Sequence, residues 1–387
     1  MTPPTPASTT APEADDTLAF DSETGDALAA STSQASLERT LARSRQIEAE
    51  IAVDPSKYRI MTGDRPTGNL HIGHYFGSLL NRVRLQDAGV ETIVLIADYQ
   101  VITDRDGVGP IKERVYSMVA DYLAAGIDPS RSVIYPHSAV PALNQLMLPF
   151  LSLVTDSELR RNPTVKAELE ATGNRPMTGL LLTYPVHQAA DILFCKANLV
   201  PVGKDQLPHL EQTRVIARRF DERYGRVDPD HPVFPQADAL LSEGGVTILG
   251  TDGVKMSKSR HNTIELGMDA DTTAAIIKKA VTDSDRHITY DPVNRPAVSN
   301  LVYLAAVSLD RDPVEVAEEI GDGGAGQLKR LVTEAVNERF AAHRARRAEL
   351  LADPGYLHTV LAEGAQKANV FADATLDEVR QAMNMVY

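Results

Sequence analysis

Residues 58–77 read YRIMTGDRPTGNLHIGHYFG, a β-rich run followed by a turn and then by the start of a helix. A proline and a glycine favour the turn, and Asn69 could cap the helix. His71 and His74 stand three residues apart, so they would share one helix face and could donate hydrogen bonds to an anion at the helix N-terminus. On its own, the stretch fits a capped helix with two incidental histidines equally well.

The pattern around this stretch alternates between strands and helices. The runs at 58–63, 92–99 and 132–138 are short and β-rich, and the segments between them carry apolar residues at helical intervals. This alternation predicts a parallel sheet with helical crossovers. The predicted fold class is α/β: a Rossmann-like domain with a parallel sheet over 36–265 and an all-helical C-terminal region over 266–387, whose last helix could pack back on the first domain.

Composition limits where the protein can be located and what it can bind. Residues 1–30 hold six acidic and no basic residues, which predicts a disordered acidic tail over 1–35. This tail fits neither a transit peptide nor a secretory signal, and no stretch approaches the roughly 20 apolar residues of a membrane span. We therefore expect a cytoplasmic protein without membrane contact. The net charge of -14 argues against general coating of nucleic acid but allows a local basic surface.

A second stretch, GTDGVKMSKSRHN (250–262), is a loop of small residues with two lysines. Lys255 and Lys258 are mobile point charges, suited to a polyphosphate whose charge shifts during reaction. A solvated basic loop is the alternative. The two stretches, in this order and separated by an α/β region, are more specific together than either is alone.

Together, HIGH (71–74) and KMSKS (255–259) resemble the two signature sequences of class I aminoacyl-tRNA synthetases without a mismatch. The resemblance implies that the carboxylate of an amino acid attacks the α-phosphate of ATP, that pyrophosphate leaves, and that the aminoacyl group passes to a tRNA. It also implies that Mg2+ accompanies ATP. The catalytic residues by this resemblance are His71, His74, Lys255 and Lys258.

The segment TGLLLTYPVHQAADILF (178–194) carries a polar stripe on an apolar helix. Tyr184, Gln188 and Asp191 fall at i, i+4 and i+7. Polar groups on a buried helix must find partners, and a ligand is one such partner. A surface helix that exposes these three side chains is the alternative.

This segment and NLVPVGKDQLPHLEQTRVIARRF (198–220) closely resemble the tryptophan-specific branch of the family, whose nearest relative is the tyrosine branch. The resemblance runs from about residue 58 through 262 and is weaker in the helical remainder. It implies that Asp191 accepts the indole N–H of L-tryptophan, which rejects rings without a donor. The other tryptophan contacts would be Tyr184, Gln188 and Gln206 at the ammonium group and Val200 and Val202 at the ring. The ATP contacts would be Arg65, Thr67, Gly68, Gly73, Gly203, Lys204, Asp205, Val246, Met256, Ser257 and Ser259.

Three residues depart from the usual pattern of the tryptophan branch. Gln188 stands where many tryptophan enzymes have Met and tyrosine enzymes typically have Gln. Arg65 replaces Gln of the common bacterial form, and Gln100 stands where His is more usual. These changes indicate a divergent bacterial-type subgroup. A tyrosine enzyme, a small-molecule adenylyltransferase and a binding paralogue that does not charge tRNA stay open as alternatives.

The helical region raises the question of RNA binding. His343, Arg344, Arg346 and Arg347 fall on one predicted helix, enough for a local basic patch, although a helix that merely exposes arginines is an equal alternative. The family resemblance implies that this region reads the anticodon of tRNA(Trp). It also implies a homodimer in which one tRNA spans both subunits.

Overall fold

The computed structural model describes residues 22–103, 107–171, 176–225, 232–241, 248–254, 256 and 262–387. Its strands are β1 (Arg59–Asp64), β2 (Glu91–Ile96), β3 (Ser132–Pro136), β4 (Leu199–Pro201) and β5 (Asp238–Leu240). They form one parallel sheet in the order β3-β2-β1-β4-β5. The first three strands lie where the sequence predicts them, and the parallel sheet confirms the α/β fold class.

The order of the strands reverses at β1. The chain first adds β2 and β3 on one side of β1, and later returns to place β4 and β5 on the other side. In open parallel sheets, ligands bind outside the carboxyl ends of the strands at such a reversal. The segments that follow β1 and β4 therefore border the expected site.

Helices surround the sheet and make up most of the rest of the described chain. They are α1 (Ser22–Val53), α2 (Ile72–His74), α3 (Leu80–Ala88), α4 (Ile111–Ala125), α5 (Pro141–Gln145), α6 (Met147–Leu151), α7 (Asp156–Arg161), α8 (Pro163–Ala171), α9 (Gly179–Leu193), α10 (Leu207–Arg223), α11 (Ala270–Lys278), α12 (Pro296–Leu309), α13 (Pro313–Ile320), α14 (Gly324–Ala352) and α15 (Pro354–Ala382). No helix within these described ranges is both long enough and apolar enough to cross a bilayer.

The first helix starts earlier than expected. It begins at Ser22, inside the segment 1–35 for which we predict disorder, and residues 1–21 lie outside the described part of the chain. The run of alanine and leucine at 27–30 favours helix despite the low hydrophobicity of its surroundings. The C-terminal half of α1 packs through Ile47 and Ile51 into a small core with the sheet.

The central strands are buried on both faces, as in other parallel sheets covered by helices. Along β2, Val94 and Ile96 join one core, whereas Ile93 and Leu95 join the other. The first of these cores continues into the helices beyond residue 265, where it includes Phe340. Sheet and helical region therefore share one continuous apolar interior.

The last helix returns to the sheet. A Cβ added at Gly364 of α15 would lie 1.8 Å from the carbonyl oxygen of Ile134 in β3. Farther along α15, the hydroxyl of Thr375 donates a hydrogen bond to the carbonyl of Phe194 over 2.6 Å. Because these are backbone contacts of buried groups, α15 is held directly against the sheet and the end of α9.

Candidate active site

The turn after β1 places two histidines at the start of a helix. α2 begins at Ile72, and His71 is its N-cap residue. Asn69, which we predict as the cap, instead donates to a carboxylate oxygen of Glu265 over 2.8 Å and accepts from the hydroxyl of Ser117. The cap prediction is wrong because Asn69 lies too far before the first helical residue and is held by partners from two other segments.

The two histidines lie together, as the sequence predicts. Their ring centroids are 3.8 Å apart, and the amide of His71 donates to Nδ1 of His74 over 3.2 Å. The helix then passes through a π turn (Tyr75–Leu79) before α3. Single π turns inside helices are frequent at functional sites. The rings are thus fixed on a short, irregular helix start at the carboxyl end of β1.

The segment after KMSKS pairs with the histidine segment. Residues 70–72 run antiparallel to residues 264–266 and are joined to them by two backbone hydrogen bonds of 3.0 Å, with His71 opposite Glu265. The segment that follows KMSKS therefore lies beside the start of HIGH at one edge of the sheet, although the two are far apart in the sequence.

Met256 is the residue of the KMSKS segment that the structure describes. It is buried in the same core as Ile72. A Cβ added at Gly73 would lie 3.5 Å from the sulfur of Met256 and 3.0 Å from the ring of His71, so the glycine permits this close approach. The other predicted residues of this loop and its preceding strand lie outside the described residues: Val246, Lys255, Ser257, Lys258 and Ser259.

The two ends of the KMSKS loop are tied together. The amide of Gly250 donates to the carbonyl of Val254 over 2.6 Å, and the amide of Thr251 donates to the carbonyl of Asn262 over 3.0 Å. The side chain of Asn262 donates to Asp252 over 2.7 Å. These bonds close the base of the loop.

Asp64, the last residue of β1, is a carboxylate held by two buried partners. One of its oxygens accepts from the guanidinium of Arg82 over 2.6 Å and from the hydroxyl of Tyr122 over 2.7 Å. Burial alone would raise the pKa of Asp64, but Arg82 and, to a smaller extent, His74 bring it down to about 2. The group therefore stays ionised and places a negative charge near His74.

The turn after β4 faces the same edge of the sheet, because β4 is hydrogen-bonded to β1. Lys204 and Asp205 are exposed and Gln206 is half-buried. A Cβ added at Gly203 would lie 2.6 Å from a carboxylate oxygen of Asp205, so a larger residue would displace that side chain. The structure thus places this predicted ATP-binding turn at the same edge of the sheet as the turn after β1.

The remaining predicted ATP contacts lie between β1 and α2. Thr67 and Gly68 form the turn, in which the amide of Thr67 donates to the carbonyl of Arg65 over 2.8 Å. The guanidinium of Arg65 lies 3.3 Å from a carboxylate oxygen of Glu168 in α8. This pair extends the edge of the site toward α8.

The predicted polar stripe lies on α9, which is largely buried, so the surface-helix alternative is wrong. Tyr184 and Gln188 are half-buried and Asp191 is buried. The hydroxyl of Tyr184 lies 3.4 Å from Nε2 of His209. Val200 is buried in β4, and Val202 follows that strand, half-buried.

Asp191 has a partner that sequence analysis missed. Nε2 of His137 lies 2.6 Å from Oδ1 of Asp191, and both side chains are almost fully buried. His137 follows the last residue of β3. The rule that ligand-binding groups follow the carboxyl ends of parallel strands could have identified it.

His187 supports this pair and is held as a neutral ring. The amide nitrogen of Gln100 lies 2.8 Å from Nδ1 of His187, and the amide oxygen of Asn144 lies 2.8 Å from Nε2. An amide nitrogen only donates and an amide oxygen only accepts, so the proton of His187 sits on Nε2. Burial lowers the pKa of His187, in agreement with this tautomer.

The prediction of a basic surface patch on α14 is wrong for three of its four residues. His343 and Arg347 contact the buried carboxylate of Asp121 over 3.1 and 2.8 Å, and Arg344 is half-buried. Arg346 alone among these four is exposed. The helical periodicity is confirmed, but His343 and Arg347 fill the contact between α14 and α4 because a buried acid lies there, and Arg344 donates to the hydroxyl of Thr273 in α11 over 3.0 Å.

Comparisons with known proteins show which family this chain is similar to. The family described as tRNA synthetases class I (W and Y) matches residues 54–341. Tryptophan–tRNA ligase of Clostridium longisporum is 40% identical over 341 residues, which cover 86% of this chain and 98% of the relative. The ligase of Treponema pallidum is 41% identical over 334 residues, which cover 84% and 97%.

A solved structure extends this similarity to three dimensions. Tryptophanyl-tRNA synthetase from Campylobacter jejuni, solved with ADP and tryptophan, matches this chain with a TM-score of 0.72 and 31% identity. The match covers 84% of this chain and 99% of that one. The similarity therefore runs over nearly the whole length of these relatives.

Proposed function

This chain belongs to the class I tRNA synthetases for tryptophan and tyrosine, and we propose that its two paired signature segments activate L-tryptophan with ATP. Its overall activity is that of an ATP-dependent tryptophan–tRNA ligase. The observation that carries the proposed site is the antiparallel pairing of residues 70–72 with residues 264–266 at the reversal of the sheet.

In the proposed activation step, a carboxylate oxygen of tryptophan attacks the α-phosphorus of ATP. The bond from this phosphorus to the oxygen that bridges to the β-phosphate breaks, and pyrophosphate leaves with that oxygen. His71 and His74 donate hydrogen bonds to phosphate oxygens, while Lys255 and Lys258 balance the charge that grows on pyrophosphate. The attacking carboxylate is already ionised, so no general base is needed.

The proposed ATP site is formed by the turns after β1 and β4 and by the KMSKS segment. Both turns lie at the carboxyl ends of adjacent strands, and a glycine in each allows close approach of backbone to ligand. Its contacts are those predicted from the sequence: Arg65, Thr67, Gly68, Gly73, Gly203, Lys204, Asp205, Val246, Met256, Ser257 and Ser259.

The proposed tryptophan site lies between α9 and β4. Asp191 accepts the indole N–H, and the other contacts are Tyr184, Gln188 and Gln206 at the ammonium group and Val200 and Val202 at the ring. The Campylobacter jejuni relative was solved with both ADP and tryptophan, which supports adjacent sites for the two substrates.

We propose that Mg2+ enters with ATP. Mg2+ usually keeps several waters and binds through one or two carboxylates plus substrate phosphates. Within the described residues, one cluster could hold a metal, namely His137, His187 and Asp191. It is buried and supplies two imidazoles, which do not suit this hard cation. Mg2+ is thus proposed to bind mainly through the phosphates of ATP.

We further propose that the helical region beyond residue 265 reads the anticodon of tRNA(Trp) in a homodimer whose subunits share each tRNA. The family resemblance supports both points. We also propose a cytoplasmic location, where ATP, tryptophan and tRNA are available together. Sedimentation of the purified chain at micromolar concentration tests the dimer, and a monomer throughout would contradict it.

Amino-acid-dependent exchange between ATP and pyrophosphate tests the activation step. We expect exchange with tryptophan and little with tyrosine, in agreement with the two ligases that share about two-fifths of their residues with this chain. Exchange with tyrosine would mean that Gln188 marks a tyrosine pocket. Exchange that survives loss of His74 and Lys258 together would show that the signature segments do not form the site.

A further inference from the structure

We infer that His137 is a positioning residue for amino-acid selection: its Nε2–H donates to one oxygen of Asp191 and leaves the other oxygen for the indole N–H of the substrate. This inference rests on the proposed role of Asp191. The carboxylate that selects the ring would otherwise be free to rotate or to find another donor. The structure fixes it from one side instead.

The direction of the hydrogen bond follows from chemistry. An ionised carboxylate only accepts, so Nε2 of His137 must carry the proton in the 2.6 Å contact with Oδ1 of Asp191. Both neutral and protonated imidazole can donate from this atom. Within the described part of the chain, the second oxygen of Asp191 accepts no hydrogen bond from protein. One acceptor site is therefore occupied and one is open.

The ring of His137 is itself held by a second set of contacts. It stacks on His187 with centroids 4.5 Å apart and an interplanar angle of 23°. His187 is fixed by Gln100 and Asn144, as described above, and the side chain of Asn144 also donates to the carbonyl of His137 over 3.1 Å. Both the ring and the backbone of His137 are thus anchored, which gives Gln100 a structural role in this pocket.

A metal site made of the same residues is the competing explanation. Ligand atoms of His137, His187 and Asp191 lie within 4.8 Å of one another. However, both ring nitrogens of His187 are already engaged by amides, and Nε2 of His137 donates its proton to Asp191. A metal held by all three residues would have to displace an amide from His187, so the contacts favour the positioning role.

Two variants of His137 separate positioning from general packing. The amide nitrogen of glutamine can occupy the place of Nε2, whereas the shorter asparagine places its amide near Nδ1. His137→Gln should therefore keep the donor to Asp191, and His137→Asn should lose it. Both substitutes are uncharged and polar, so they form a matched pair.

The readout is the ratio of kcat/KM for tryptophan to that for β-(3-benzothienyl)alanine, in which sulfur replaces the indole N–H. Exchange between ATP and pyrophosphate reports both values. We expect a parent ratio of about 10 to 100, the range for a hydrogen bond to a charged group. His137→Gln should stay within about threefold of the parent ratio, and His137→Asn should lower it about tenfold. The KM for ATP should change little in either variant.

Several outcomes would overturn the inference. If His137→Asn lowers kcat/KM equally for both amino acids, His137 has a packing role. If neither value changes, Asp191 selects the ring without the hydrogen bond from His137. Tighter tryptophan binding with added Zn2+ in the parent would support the metal site instead. Asp191→Asn separates this inference from the proposed function: an unchanged ratio there would show that Asp191 is not the acceptor at all.

Discussion

His209 is a buried histidine on α10 whose ring packs edge-on against Tyr184. Burial lowers its pKa from the ordinary 6.5 to about 4. Between these values the unfolded chain binds a proton that the folded chain does not bind, so stability falls as the pH drops through this window. We expect this difference in proton binding to lower the unfolding free energy by about 2 kcal/mol between pH 7 and pH 5.

Urea unfolding at pH 7 and pH 5 measures this effect by comparison with His209→Gln. Carboxylates titrate in the same pH window and change the stability of both proteins. The effect of His209 is therefore the difference between the two proteins in the loss of unfolding free energy from pH 7 to pH 5. The parent should lose about 2 kcal/mol more than His209→Gln. His358→Gln, at an exposed position, should follow the parent. Parallel losses in all three proteins would show that His209 does not titrate in this way.

At the scale of elements, Gly364 marks where α15 crosses β3. An added Cβ would overlap the carbonyl of Ile134 at 1.8 Å, and backbone atoms cannot move aside as a flexible side chain does. We expect Gly364→Ala to lower the unfolding free energy by about 1 to 3 kcal/mol through overpacking. Chemical unfolding in urea measures the change.

Gly326 of α14 supplies the control for this substitution. Among the described residues, no atom beyond the chain neighbours and the backbone of α14 itself lies within 4 Å of a Cβ added there. Gly326→Ala should therefore add helix propensity alone and raise the unfolding free energy by up to about 1 kcal/mol. The two alanine variants should thus differ in sign. A stabilising Gly364→Ala would contradict the close contact between α15 and β3.

The contact between α14 and α4 depends on the buried acid Asp121. Arg347 donates to it over 2.8 Å and is 15% exposed. Because Arg347→Met would leave this carboxylate with His343 as its one hydrogen-bond partner among the described residues, we expect a loss of about 3 kcal/mol in unfolding free energy. Arg346, the next residue toward the N-terminus, pairs with Glu349 at the surface.

Arg346→Met is therefore the matched control on the same helix. An exposed ion pair of this kind contributes about 0.5 kcal/mol or less, so the variant should stay close to the parent in urea unfolding. Equal effects at both positions would mean that Asp121 does not depend on Arg347. A larger effect at Arg346 would show that its ion pair with Glu349 contributes more to stability than an exposed pair usually does.

The elements themselves were largely predictable from the sequence, because β1 to β3 are short apolar runs bounded by turns and separated by helical periodicity. The histidines at the start of α2 were predictable for the same reason. His137 and the partners of Asp121 were not, because periodicity places a side chain on a face without naming what it meets across the core. Asn69 shows the same limit. Its residue type fits a helix cap, but its side chain instead forms hydrogen bonds with Glu265 and Ser117 from distant segments.

At the scale of the whole molecule, hydrogen bonds connect the helical region with residues just before HIGH and just after KMSKS. Arg347 of α14 donates to the hydroxyl of Ser117 over 2.6 Å, Ser117 donates to Asn69 over 3.0 Å, and Asn69 donates to Glu265 over 2.8 Å. Glu265 in turn lies opposite His71. The region proposed to bind the anticodon is thus joined by direct contacts to the proposed site of activation.

The whole chain also carries a net charge of -14, so tRNA must bind through local basic groups against a general repulsion. At about 0.15 M salt, exposed charges farther apart than about 8 Å are largely screened, and close phosphate contacts dominate. For three or more such contacts, counterion release should raise the KM for tRNA about tenfold or more between 50 and 200 mM KCl. The KM for tryptophan, measured by exchange with pyrophosphate, should change less than about twofold. The proposed contacts to tryptophan act over short distances in a partly buried site, where salt screens charges little. Aminoacylation and exchange with pyrophosphate, run at the same series of salt concentrations, give the salt dependence of the two KM values. Equal dependences would show that tRNA is not held by phosphate contacts of this chain.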